Sequence, residues 1–196
     1  ERATFLQRAS HQENERFRVS VAVPSPEEAA QRFDRGLHRQ GIQPVWLRIE
    51  NRLSTTACFL PNLIDSDYYA PLEVAYRYHS GWQPKRNAAM NLFFLTHAMP
   101  DRIPAGTERS GFVFTHLDLG KKQVCVSISS NPGVWHGDRY SFVVDVPGLK
   151  TEYRQGNWER AADGWELIGC DDKRLRAELE KLPRPTTDKT GQQEGG

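Results

Sequence analysis

Apolar and polar residues alternate with a period of two along several stretches of this chain. Phe17, Val19, Val21 and Val23 fall on one side of a predicted strand, and Val45, Leu47 and Ile49 alternate with Trp46, Arg48 and Glu50 in a second. Residues 103–128 carry the clearest signal. Pro104-Ala105-Gly106 marks a tight turn, Phe112 and Phe114 share a face, and Asp118-Leu119-Gly120 marks another turn. Val124, Val126 and Ile128 then oppose Cys125, Ser127 and Ser129. Such alternation predicts half-buried antiparallel strands, with one face on a core and the other in water. Phe59-Leu60 begins a further short strand, and residues 142–146 form a last one closed by Pro147-Gly148.

A helix is predicted near residues 26–40. Ser25 is its N-cap, Pro26 takes the first position and Glu28 completes a capping box. Ala30, Phe33 and Leu37 form its apolar stripe, and Gly41 is a stop signal. Gly36 inside it costs about 1 kcal/mol relative to alanine. Residues 72–79 fit a strand or a short helix, and the apolar segment 87–99 reads as helical.

These elements predict a mainly β chain, an antiparallel β-sandwich (Ig-like or similar) over residues 12–150 with one packed helix near 26–40. A C-terminal arm over 151–183 carries Trp158 and Trp165, followed by a short helix on which Leu175, Leu179 and Leu182 share a face. Residues 184–196 are Thr, Gly, Gln and charge, a composition too polar to order itself, and predict a flexible tail.

The chain has 196 residues, 38% of them hydrophobic, enough for a core. Its 26 basic and 25 acidic residues nearly balance and are scattered, which leaves no electrostatic footprint for nucleic acid. No apolar run reaches the ~18 residues a membrane helix needs. Residues 1–7 lack the apolar core of a signal peptide. A start at Glu1 fits a processed or truncated product, so an upstream signal or lipid anchor is an open expectation. Cys58, Cys125 and Cys170 are widely spaced, which disfavours zinc and leaves open whether any two pair in an oxidising compartment.

Chemistry is thinly signalled. Asp65, Asp67 and Glu73 are weak metal candidates, because calcium wants six to eight oxygen ligands and this stretch lacks EF-hand spacing. No nucleophile elbow or phosphate-cradling glycine pattern occurs. A hydrolase would have to use His116 or His136 with Asp138 or Asp65. No catalytic residue, cofactor or resident metal is expected. Tyr68, Tyr69, Trp82, Trp135, Trp158 and Trp165 fall outside the clearest core faces. Exposed Tyr and Trp are common anchors for protein or sugar partners.

Several strings, in order, resemble the family named for the C-terminal region of the Legionella secretion-associated protein LssY. They are Gly41-Ile42-Gln43-Pro44-Val45-Trp46-Leu47, Ile49-Glu50-Asn51, Asp67-Tyr68-Tyr69-Ala70-Pro71-Leu72-Glu73-Val74, residues 103–114, Val146-Pro147-Gly148-Leu149-Lys150 and residues 175–187. The resemblance spans most of residues 15–190 and implies a bacterial, often lipid-anchored or membrane-attached envelope protein of no established activity. Two features depart from it: Leu182-Pro183 is followed by Arg184-Pro185 where the family has cysteines, and the chain ends at Gly196 where members continue. The expectation is therefore the N-terminal module of a longer polypeptide. It would be a non-enzymatic accessory subunit on the periplasmic side of a membrane, binding another protein through exposed aromatics and sheet edges. A hydrolase and a carbohydrate-binding module are the alternatives.

Overall fold

A computed structural model describes residues 4–64, 68–130, 137–148, 157–161 and 164–168. Two compact units divide the chain, Glu1–Lys150 and Thr151–Gly196.

The first unit is built on two antiparallel sheets. Strands β1 (Ser10–Glu13), β2 (Phe17–Ala22), β3 (Ile42–Asn51), β4 (Ala57–Phe59), β5 (Tyr68–Tyr69), β6 (Arg102–Ile103), β7 (Glu108–His116), β8 (Lys121–Ser129) and β9 (Asp138–Asp145) make it up. Their orders are β1-β2-β3-β7-β5 in the larger sheet and β6-β4-β8-β9 in the smaller. The interior between the sheets takes Phe17, Val19 and Val21 from β2, Val45, Leu47 and Ile49 from β3, and Val124, Val126 and Ile128 from β8. The period-two pattern thus becomes a shared core, each full side-chain burial contributing about 1.5–3 kcal/mol.

Three helices make a further layer. They are α1 (Pro26–Phe33), α2 (Pro71–Tyr76) and α3 (Pro84–His97). They pack on the other face of the larger sheet, where Phe33, Val74, Ala75 and Phe94 meet Phe112 and Phe114. Phe33 is the hub, its ring 5.0 Å from Phe112, 5.7 Å from Phe114 and 5.9 Å from Phe94. The larger sheet is therefore covered on both faces where β7 passes. Phe112, Val113, Phe114 and Thr115 are all buried in succession. This corrects the expectation of one face in water, and it corrects one packed helix to three.

The helix expected over 26–40 also stops early. Its cap is as predicted: Glu28 N–H donates to Ser25 Oγ at 3.2 Å while Ser25 N–H donates to the Glu28 carboxylate at 2.7 Å. However, Asp34 adopts a left-handed conformation (φ 48°) and ends α1. Asp and Asn tolerate that region better than most residues. Residues Leu37–Gln40 continue as a separate 3-10 turn, and Leu37 stays buried in the same core.

The segment Thr4–Arg8 is part of the fold. Phe5, on the 3-10 turn Thr4–Arg8, is buried against Phe112 and Trp46. The sheet starts at Ser10, ahead of the expected boundary at residue 12. β9 begins at Asp138, ahead of the strand expected over residues 142–146. Of segment 72–79, ambiguous by periodicity, residues 72–76 are helical, with Pro71 in the first turn.

Gly111 makes the crossing from α3 to β6 possible. Met99 N–H donates to Phe112 O at 2.8 Å, and a Cβ on Gly111 would stand 2.6 Å from Ala98 O and Met99 N. Only a residue without a side chain lets the two backbones approach so closely.

In the second unit, β10 (Asn157–Ala161) and β11 (Gly164–Ile168) form an antiparallel hairpin. The short helix expected after residue 170, Cys170 and the tail 184–196 lie outside the described residues.

Candidate functional site

The helical layer carries the largest share of exposed apolar side chains. Of eight large exposed hydrophobics among the described residues, five lie on α2, α3 or the loop between them: Leu72, Tyr76, Trp82, Leu92 and Leu95. Trp82 is 101% exposed, Leu92 63% and Leu95 49%. The reason lies in the α3 sequence. Met90, Phe93, Phe94 and His97 occupy its inner side, with Phe94 fully buried. Its outer side carries Lys85, Ala88, Ala89, Leu92 and Leu95, recurring at helical spacing, all exposed. A surface helix normally puts charged or polar residues there, and one apolar all round is normally buried. Acidic groups are absent from α3 altogether.

The loop that presents Trp82 is tied down. His79 Nε2 and Asn91 Oδ1 are 2.8 Å apart, and Ser80 N–H donates to Asn87 Oδ1 at 3.1 Å. Tyr78 stacks on Phe94 at 6.0 Å, and burial raises its phenol pKa despite the nearby Arg35 and Arg77. Trp82 thus projects from an anchored turn.

A second feature is a groove of about 390 Å³ on the bare part of the larger sheet, beside the N-terminal turn. Leu6 and Ala9 wall it, and His11, Arg18, Ser20, Trp46 and Arg48 line it. The register places Glu13, Arg18, Glu50 and Glu108 in one row across four strands. Arginines outside the row match its acids: Arg48 pairs with Glu108, Arg52 with Glu13 at 2.7 Å, and Arg52 with Glu50 at 3.2 Å. Arg52 hydrogen-bonds the Glu13 carboxyl and, against slight burial, lowers its pKa. These pairs are half-exposed, so each contributes little. Trp46 is the one Trp, Tyr or Phe among the described residues lining the groove, whereas a sugar platform needs two or three in a plane.

The other sequence-predicted residues are dispersed. Tyr68 and Tyr69 form β5 and are half-buried. Burial, with Glu73 adding to it, raises the Tyr68 pKa, and Arg77 lies over the Tyr69 ring at 4.7 Å. Trp158 and Trp165 fall on the β10–β11 hairpin, opposite Leu167 and Arg160 in register. Trp135, Asp65, Asp67 and His136 lie outside the described residues. Glu73 is exposed on α2, 4.0 Å from Arg77.

The hydrolase pairing of His116 with Asp138 does not form. Lys122 Nζ donates to His116 O, whereas Asp138 pairs in register with Ile128 at the far end of β8. The rise from Lys122 to Ile128 amounts to about 20 Å. Asp138 is instead held by Arg16 at 2.9 Å and Asn14 at 3.0 Å. Cys58 and Cys125 are free thiols.

Leu92 and Leu95 were not singled out in the sequence, although their signal was present: apolar residues on both sides of a predicted helix. The charged row across β1, β2, β3 and β7 was half legible as the polar partners in the alternation of β3.

Fold and surface together define a β-sandwich with a helical cover in which the outer side of α3 carries exposed apolar residues. Set against known proteins, the chain matches no family model and no curated protein sequence.

Proposed function

We propose that this chain is a non-enzymatic interaction module, an accessory subunit of a bacterial cell-envelope assembly, and that the α2–α3 face is its contact surface. The observation that carries the reading is the concentration of exposed apolar side chains there, with Trp82 wholly in solvent. Contiguous exposed apolar surface marks interaction sites, and Trp is enriched among the residues that dominate interface energies. The envelope location rests on the resemblance to the LssY C-terminal family. It is compatible with the described residues, none of whose helices is long and apolar enough to cross a membrane.

The test is site-specific photo-crosslinking in the native host. A photoreactive residue at Leu92 should give adducts, and one at Val143, exposed on the opposite side of the sandwich, should not. Equal labelling at both positions, or none at Leu92, removes the reading.

A further inference from the structure

We infer that the outer face of α3, with Trp82 at its N-terminal end, docks on an anionic lipid bilayer. This rests on the contact reading above and names what the face contacts. Three observations favour a bilayer surface.

The first is charge. From Pro71 to His97 the chain carries Arg77, Lys85 and Arg86 against a single acid, Glu73. This is complementary to anionic headgroups, toward which each basic residue near the surface is drawn. The second is placement. Lys85 and Arg86 sit in the first turn of α3, where no acid lies and no side chain caps the helix. Cations at a helix N-terminus oppose the macrodipole, so helix stability does not account for them. The third is the arrangement of apolar groups. Leu92 and Leu95 line the outward side, while Trp82 projects from the loop next to Lys85 and Arg86. Leu on one face with Trp and basic residues beside it is the composition of a helix lying in the headgroup region. Lys85 shares the outer side with the leucines, and its stem lets the charged end reach phosphates as the leucines enter the acyl boundary.

This geometry orients the molecule. The helices lie on one face of the larger sheet and the smaller sheet packs on the other. With α3 on the bilayer, the outer face of the smaller sheet, including Val143, faces away from it.

The experiment is co-sedimentation of the purified chain with phosphatidylglycerol–phosphatidylcholine vesicles and with pure phosphatidylcholine vesicles. Wild type should bind the anionic vesicles more tightly. Leu92→Asp and the double variant Lys85→Glu/Arg86→Glu should each lower that binding about tenfold or more, while Val143→Asp should not. All four substitutions fall on exposed side chains, and circular dichroism verifies that the fold persists. Trp82→Phe should abolish a blue shift of tryptophan emission on binding. Absence of vesicle binding, or variants that bind like wild type, overturns the inference. If vesicles fail while the Leu92 photoprobe labels a protein, or a second copy of this chain, the contact reading survives and the bilayer does not. If neither occurs, both fall.

Discussion

The ammonium of Lys122 is fully buried and lies 2.6 Å from the Asp118 carboxylate, which closes the crossover from one sheet to the other. Lys122 Nζ also donates to His116 O at 3.0 Å, and Asp118 N–H donates to the buried Gln43 side chain at 3.3 Å. A lysine on the inward-facing side of β8 breaks the apolar alternation, and it is tolerated because its charge is matched at the sheet end. Removing only the acid takes away the negative charge that faces a buried cation. Asp118→Asn should therefore lower stability by about 1–3 kcal/mol, while Lys122→Met with Asp118→Asn should recover most of it. Urea midpoints of the four proteins in this cycle measure the coupling, and additivity would remove the pairing argument.

Glu28 joins the N-terminal turn to α1. Partial burial disfavours its charge, but hydrogen bonds from Arg8, Thr4 and the Ser25 amide together prevail and hold its pKa at about 2. A carboxyl depressed in the folded state stabilises the fold above its unfolded pKa, near 4.5, and that contribution is lost as pH falls toward 2. Glu28→Gln should cost about 1 kcal/mol at neutral pH. It should also flatten the acid limb of a stability–pH curve measured by chemical denaturation.

Gly111 should not accept a side chain. Gly111→Ala drives a methyl into the Ala98–Met99 backbone, 2.6 Å away, and overpacking of this kind costs about 1–3 kcal/mol. Gly36→Ala is the control, since its new Cβ meets only the flexible Arg39 side chain, at 3.3 Å. Thermal unfolding should separate the two clearly.

Tyr140 shows the opposite case, a polar atom the fold would be better without. Its hydroxyl is buried with no hydrogen-bond partner among the described residues, and burial, helped by Asp138, pushes its pKa up to about 12. Stability tied to the neutral phenol is complete below pH about 10 and lost as pH rises through 12. Tyr140→Phe should leave stability unchanged or raise it by up to about 1 kcal/mol, and should make the alkaline limb shallower. A loss of more than 1 kcal/mol at pH 7 would show that the hydroxyl has a partner.

The strands were readable because one face of each meets the intersheet core. Val19 and Val21, or Val124 and Val126, alternate with more polar neighbours whatever the rest of the chain does. The helical layer was less readable for the same reason turned around. Phe112 and Phe114 were recognised as one face of a strand, but alternation cannot say that a helix will cover that face while Val113 fills the other. Among the proposed contact residues, Trp82 was legible as an exposed aromatic. Leu92 and Leu95 were not, because an apolar residue in a helix ordinarily signals burial. Of the hydrolase pairings, that of His116 with Asp138 failed because strand order places them at opposite ends of β8.

Local chemistry therefore determined what is local in this protein: the capped start of α1, the turns, the alternating strands and the near balance of charge. These follow from backbone geometry and from side chains a few positions apart. The tertiary structure alone decided that the larger sheet is covered on both faces, that Phe5 belongs to the core, and that Lys122 is buried and matched. It also decided that the outer side of α3 stays in solvent. Each of these depends on which distant surfaces meet, and burial is settled by that meeting rather than by the hydrophobicity of any one segment.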